Sequence, residues 1–172
     1  MSYHSTDLHP GDILLMLPPK TEPIWDRALD AAIAWSSGPF VHAALVGHGE
    51  LIEQLSIVQT SPLDKYQENG WAYTVAGSTP AQADAAITWA LAHRGQPYGI
   101  DAILQDGLMY DVHQWRPLHD DPRYVTCSGF VERAWRVGAG IRITDQPLPS
   151  PTSLAFSPIL GGPRPWDRTT SP

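Results

Sequence analysis

Cysteine is nearly absent from this sequence: one residue, Cys127, in 172. A single thiol excludes an intrachain disulfide framework and any zinc site that draws two thiolates from one chain. Charge is scarce as well, 17% of residues against a usual share of about 25%. The scarcer sign is positive, with 11 Lys and Arg against 18 Asp and Glu, a formal net charge of −7. An acidic chain without a basic cluster is a poor match for nucleic acid and is not drawn to anionic membranes. No apolar run is long enough to span a bilayer. The first residues, MSYHSTDLHPGD, lack the basic and then apolar regions of a signal peptide. The expectation is a soluble protein that starts in the cytoplasm, with release as a phage or effector component left open. Internal repeats are absent. Hydrophobic residues make up 42%, enough for a core, which argues against a disordered chain.

Proline and glycine are present in number, 17 and 14, and they crowd the stretch from Pro147 to Pro172. This stretch reads as an extended wrap and then a loose tail, giving a single domain over 1–160 and a Pro-rich tail over 161–172. Before it, strand and helix signals alternate. Ile13–Leu17 and Trp71–Ala76 are short apolar runs and read as strands. Val41–Gly47 and Glu50–Leu55 flank His48-Gly49, a hairpin pattern. Thr21 to Ser36 reads as a helix on its apolar spacing. A second helix opens at Thr79-Pro80 and stops at Gly95, and a third runs from Thr126 to Val137 and stops at Gly138. Interspersed elements around an antiparallel hairpin indicate an α+β fold.

Cys127 sits in YVTCSGFVERAW, where Phe130, Val131, Ala134 and Trp135 form a helical stripe. The thiol therefore falls in the first turn of a helix, where unpaired amides and the positive dipole end favour a thiolate. A nucleophile also needs a base. Of seven histidines, His4 and His9 lie in the N-terminal segment, His48 in a turn and His93 at a helix end. His113 and His119 share a loop with Asp111, Asp120 and Asp121, whose spacing fits no compact metal-ligand pattern, so no metal is expected. His42 differs, because it lies inside an apolar strand. With an even hairpin loop, Ala44 opposes Glu53, and Glu53 lies on the His42 face along the diagonal at roughly 7–8 Å. An odd loop would put Gln54 there instead. A thiol, an imidazole and an orienting polar group are the minimum for thiol acyl-transfer chemistry.

The sequence resembles the circularly permuted branch of the NlpC-type papain-like cysteine peptidases, the YiiX-like proteins. Gly95-Gln96-Pro97-Tyr98-Gly99 and Cys127-Ser128-Gly129-Phe130-Val131 are similar to the two halves of the ordinary Cys-side motif. The His strand, SGPFVHAALVG, precedes them, as in the permuted branch. The opening HPGDILLM, Glu53 soon after the His, and the late Pro149-Ser150-Pro151-Thr152-Ser153-Leu154-Ala155 are also similar. Together these motifs extend from Pro10 to about Pro158.

The resemblance implies a papain-like core, a small antiparallel sheet packed against the Cys helix. It implies Cys127 as nucleophile, His42 as base and Glu53 as the orienting residue, with no cofactor. Tyr98 falls where these families place a tyrosine near the site, and Ser128 and Thr126 flank the thiol as supporting residues. The classical members have Asp before the Cys; Thr126 stands here, as a helix cap rather than a substrate contact, so peptide specificity does not carry over. The stretch from Gln105 to Arg123 looks like an insertion that walls the cleft. The function implied is a thiol hydrolase, a peptidase or amidase on cell-wall-type peptides such as muropeptides. The branch is also similar to lecithin retinol acyltransferase-like proteins, so an acyltransferase or hydrolase on lipid amides or esters is the second reading. A catalytically idle binding module on the same fold is the third.

Overall fold

The computed structural model describes residues 8–18, 38–67, 69–97, 126–147 and 149–166. Six strands form one antiparallel sheet: β1 Ile13–Met16, β2 His42–Val46, β3 Glu50–Gln54, β4 Val58–Pro62, β5 Gly70–Val75 and β6 Leu160–Trp166. Their order across the sheet is β4-β3-β2-β1-β5-β6. A 3-10 turn, Leu63–Tyr66, links β4 to β5. Helix α1 spans Pro80–Ala92, α2 spans Cys127–Arg133 and runs on as a π-helical turn over Ala134–Gly138, and α3 spans Pro151–Ala155. The fold is α+β, with the cysteine-bearing helix α2 packed on β2 and β3.

The sequence explains the layering. All four residues of β1 are buried, as befits a strand with neighbours on both edges and cover on both faces. Alternate residues part into two clusters. Ile13, Leu15, Ala43, Leu45, Ile52, Tyr73 and Val75 pack with α1, α2 and α3. Leu14, Met16, Ala44, Val46, Leu51 and Ala72 pack with Trp166 on the other face. Burying each Leu or Ile contributes about 1.5–3 kcal/mol.

The β2–β3 hairpin has the register that an even loop requires. Ala44 faces Glu53, Leu45 faces Ile52 and Val46 faces Leu51. Gly49 takes φ 92° in the turn, a conformation that glycine adopts without steric penalty. Helix α1 starts with a full capping box between Thr79 and Gln82 and has Pro80 in its first turn. It packs closely on the π-helical turn. A methyl group on Gly138 would lie 2.8 Å from both Ala85 O and Trp89 Cβ, so only glycine fits there.

Two expectations need correction. The boundary placed at 160, with 161–172 as a loose tail, cuts through β6, which pairs with β5 from Gly70↔Trp166 to Val75↔Leu160. Its prolines are tolerated because β6 is the last strand of the sheet, where one side of its backbone has no ladder partner. Buried Asp12 fixes it in place: its Oδ2 accepts from Arg164 Nη2 at 2.6 Å and from His9 N at 2.9 Å, and its Oδ1 accepts from Thr74 Oγ1 at 2.7 Å. The wrap after Pro147 contains the short helix α3, whose N-cap Ser150 accepts from Ser153 N. The helix expected over Thr21–Ser36 lies outside the described residues, as do Tyr98, His4, His113, His119 and the stretch from Gln105 to Arg123.

Candidate active site

Three elements converge on one imidazole. His42 is the first residue of β2, and its ring reaches past Ala44 to Glu53 on the neighbouring strand. His42 Nε2 lies 2.8 Å from Glu53 Oε2. The ring is also hydrogen-bonded to Cys127, the first residue of α2. With Nε2 engaged by the carboxylate, Nδ1 is the nitrogen left for the thiol. Cys127 is 5% exposed and is not in a disulfide, and the His42 side chain is 14% exposed. The set is shielded but not sealed.

Glu53 is fully buried. Its Oε1 accepts from Ser61 Oγ at 2.5 Å and from Lys65 Nζ at 2.5 Å. Its Oε2 accepts from Tyr66 Oη at 2.7 Å as well as facing the imidazole. Burial by itself would raise the carboxyl pKa. Hydrogen bonding to His42 and its charge, followed by the bonds from Lys65 and Ser61, outweigh burial and lower the pKa from 4.5 to about 2. Burial likewise would lower the His42 pKa. The charge and hydrogen bond of Cys127, then the bond and charge of Glu53, raise it from 6.5 to about 9. The electrostatics favour an imidazolium between two anions.

The supporting residues named from sequence fall in different places. Gln54 points away from the imidazole, as its alternation with Glu53 requires. It is buried, and its Nε2 donates to Pro97 O at 3.0 Å; its Oε1 has no partner among the described residues. Of the two, Glu53 is the residue that meets the imidazole. Thr126 is the N-cap of α2, its Oγ1 accepting from Gly129 N at 3.1 Å. Ser128 Oγ donates to Pro149 O at 2.5 Å, tying α2 to the segment that leads into α3. Both residues hold the helix that presents the thiol. Sequence reasoning missed Ser61, Lys65 and Tyr66. The only available signal was Val58-Gln59-Thr60-Ser61, a weak strand pattern beside Glu53.

The larger cavities described lie elsewhere. One of about 550 Å³ is lined by Thr152 and Phe156, and one of about 420 Å³ by His9 and His48; neither is lined by Cys127, His42 or Glu53. His48 Nε2 pairs with Asp84 Oδ1 at 2.9 Å at the surface. His93 stacks on Trp89, and its Nδ1 lies 2.7 Å from Trp89 O, a helix-end role.

The fold matches a solved one. The chain is similar to the crystal structure of the metalloprotein yiiX from Escherichia coli O157:H7, a DUF1105 protein. The TM-score is 0.67 and the identity 14%, and the match covers 91% of this chain and 97% of that one. At that identity the likeness shows a shared YiiX-like fold. No family model matches the sequence, and no curated protein matches it. The structural likeness agrees with the YiiX-like part of the sequence resemblance, whereas a kinship with NlpC-type peptidases or lecithin retinol acyltransferase-like proteins rests on the sequence motifs. Among the described residues, no helix is long and apolar enough to cross a membrane.

Proposed function

We propose that this protein is a thiol hydrolase that cleaves an amide bond through an acyl-enzyme on Cys127. The observation that carries the reading is the chain of contacts from Cys127 through His42 to the buried Glu53. The Cys127 thiolate attacks the carbonyl carbon, and the C–N bond breaks as His42 gives its proton to the leaving amine. A thioester on Sγ results. A water then attacks it, His42 takes the water's proton, and the carboxylic acid product leaves with the thiolate restored. The first-turn amide of Cys127 is the proposed donor to the oxyanion. Glu53 holds the imidazole in orientation and supports its charge. Cell-wall-type peptides are the proposed substrate class, because the motifs around Cys127 and His42 resemble those of NlpC-type peptidases.

The yiiX neighbour is described as a metalloprotein. Here no group of three His, Cys, Asp or Glu is placed to hold a metal ion among the described residues, and His42 Nε2 already meets Glu53. The described residues do not fit a resident metal, and each step above uses this chain's own side chains.

The test is intact-mass analysis of the protein mixed with muropeptides or with acyl amides and esters of lipids. A peptidyl adduct on Cys127, absent in Cys127→Ala, supports the reading. A fatty acyl adduct would move the substrate to the lipid class. Hydrolysis that persists in Cys127→Ala would overturn the mechanism.

A further inference from the structure

Glu53 accepts more hydrogen bonds than orienting a histidine requires. A carboxylate offers about four lone-pair positions, and four donors meet this one: Ser61 and Lys65 at Oε1, His42 and Tyr66 at Oε2. Lys65 and Tyr66 are consecutive residues of the 3-10 turn Leu63–Tyr66, which directly follows the strand that carries Ser61. The turn also brings the Tyr66 ring to 5.8 Å from the His42 ring, between centroids, and Lys65 Nζ to 4.9 Å from the Tyr66 centroid.

The two residues act on different properties. In a buried His–Glu pair, burial penalises both charges, so the proton can pass from imidazole to carboxylate and leave a neutral pair. A second cation on the far oxygen opposes that transfer. An ammonium cannot accept a hydrogen bond, so a protonated Oε1 would face a donor. Tyr66 carries no charge. It shares Oε2 with His42 and fixes the direction from which that oxygen meets Nε2.

We propose, on the reading of Cys127, His42 and Glu53 as the reacting set, that Lys65 and Tyr66 are positioning residues: Lys65 keeps Glu53 ionised, and Tyr66 aims Oε2 at His42 Nε2, leaving Nδ1 for the thiol. The titratable groups involved are His42 from β2, Lys65 and Tyr66 from the 3-10 turn, and Cys127 from α2, which acts through His42. Ser61, from β4, adds a neutral donor.

The full chain, carrying 13C-labelled glutamate and 15N-labelled histidine, tests this by NMR without any substrate. In the wild type, the Glu53 carboxyl signal, assigned by its loss in Glu53→Gln, should not titrate down to about pH 3. In Lys65→Gln, which keeps a donor but removes the charge, the midpoint should rise by about one pH unit or more, and Lys65→Arg should restore it. Tyr66→Phe should move that midpoint less, but above about pH 10, where His42 has given up the proton that its pKa of about 9 retains at neutral pH, its nitrogen shifts should report a mixture of tautomers where the wild type shows one. If Lys65→Gln does not fold, Tyr66→Phe carries the test through those shifts. An unmoved Glu53 midpoint in folded Lys65→Gln, or an unchanged His42 tautomer in Tyr66→Phe, overturns the proposal. A shifted midpoint in a protein that forms no acyl adduct would sink the hydrolase reading and leave the Lys65 effect standing.

Discussion

His42 Nε2 and Glu53 Oε2 lie 2.8 Å apart, although Ala44 is the residue opposite Glu53 in the ladder. The pair is diagonal. Diagonal neighbours on one face start roughly 7–8 Å apart, and the long Glu side chain and the imidazole close that gap. A shift of one residue in the register would send Glu53 to the other face and break the contact. The hairpin turn at His48-Gly49 thus sets the chemistry of a ring several residues away.

The proton affinity of His42 should follow its two anionic neighbours in a fixed order. The ring should titrate near 9 in the wild type, and its macroscopic value belongs to the coupled set. Cys127→Ala should lower the midpoint more than Glu53→Gln does, because Cys127 is the larger upward influence. A histidine-selective NMR titration reads the order, and a larger drop in Glu53→Gln would reverse it.

Acid stability should depend on Glu53. Its folded pKa, about 2, lies below its ordinary value of 4.5. The stability it contributes is therefore fully present above 4.5 and is lost as pH falls through 2. Urea midpoints of wild type and Glu53→Gln should differ most near pH 6 and converge as pH drops from 4.5 towards 2. A constant difference across that range would show that Glu53 is not the ionised group described here.

Arg164 should matter for stability and not for the site. Arg164→Met leaves Asp12, whose side chain is 1% exposed, without its cation while the bonds from Thr74 and His9 remain. The loss should be about 2–3 kcal/mol by urea unfolding. Thiol labelling of the folded variant should match the wild type.

Much of this architecture is legible in the sequence where local chemistry and tertiary packing agree. The Thr79-Pro80 start, the His48-Gly49 hairpin and the Cys127 helix all carry cap, turn or periodicity signals, and each falls within a residue or two of its expected place. The His42–Glu53 contact was legible only given an even hairpin loop: strand period left Glu53 and Gln54 both open, and the register Ala44↔Glu53 puts Glu53 on the His42 face. Strand β4 escaped because Gln59, Thr60, Ser61 and Pro62 give it little apolar alternation. Strand β6 escaped because Pro163 and Pro165 argue against a strand unless its place at the sheet edge is known. Lys65 and Tyr66 reach Glu53 only once β4 is paired, a tertiary fact that no spacing encodes.

Thr126 should contribute through its cap. Thr126→Ala removes the acceptor for Gly129 N and should lower stability by about 1 kcal/mol. It should also slow thiol labelling by a small factor, because the first turn that presents Cys127 frays. Unchanged stability in chemical denaturation would show that the cap contributes nothing.

The most direct test of the Cys127–His42 pair is the rate of iodoacetamide alkylation at pH 6, where an ordinary thiol of pKa about 8.5 is almost wholly protonated. The wild type should react as a thiolate, and His42→Ala should be slower by ~100-fold, with Glu53→Ala between them. Equal rates in wild type and His42→Ala, both rising only above about pH 8, would contradict the ion pair and leave Cys127 a packed core residue.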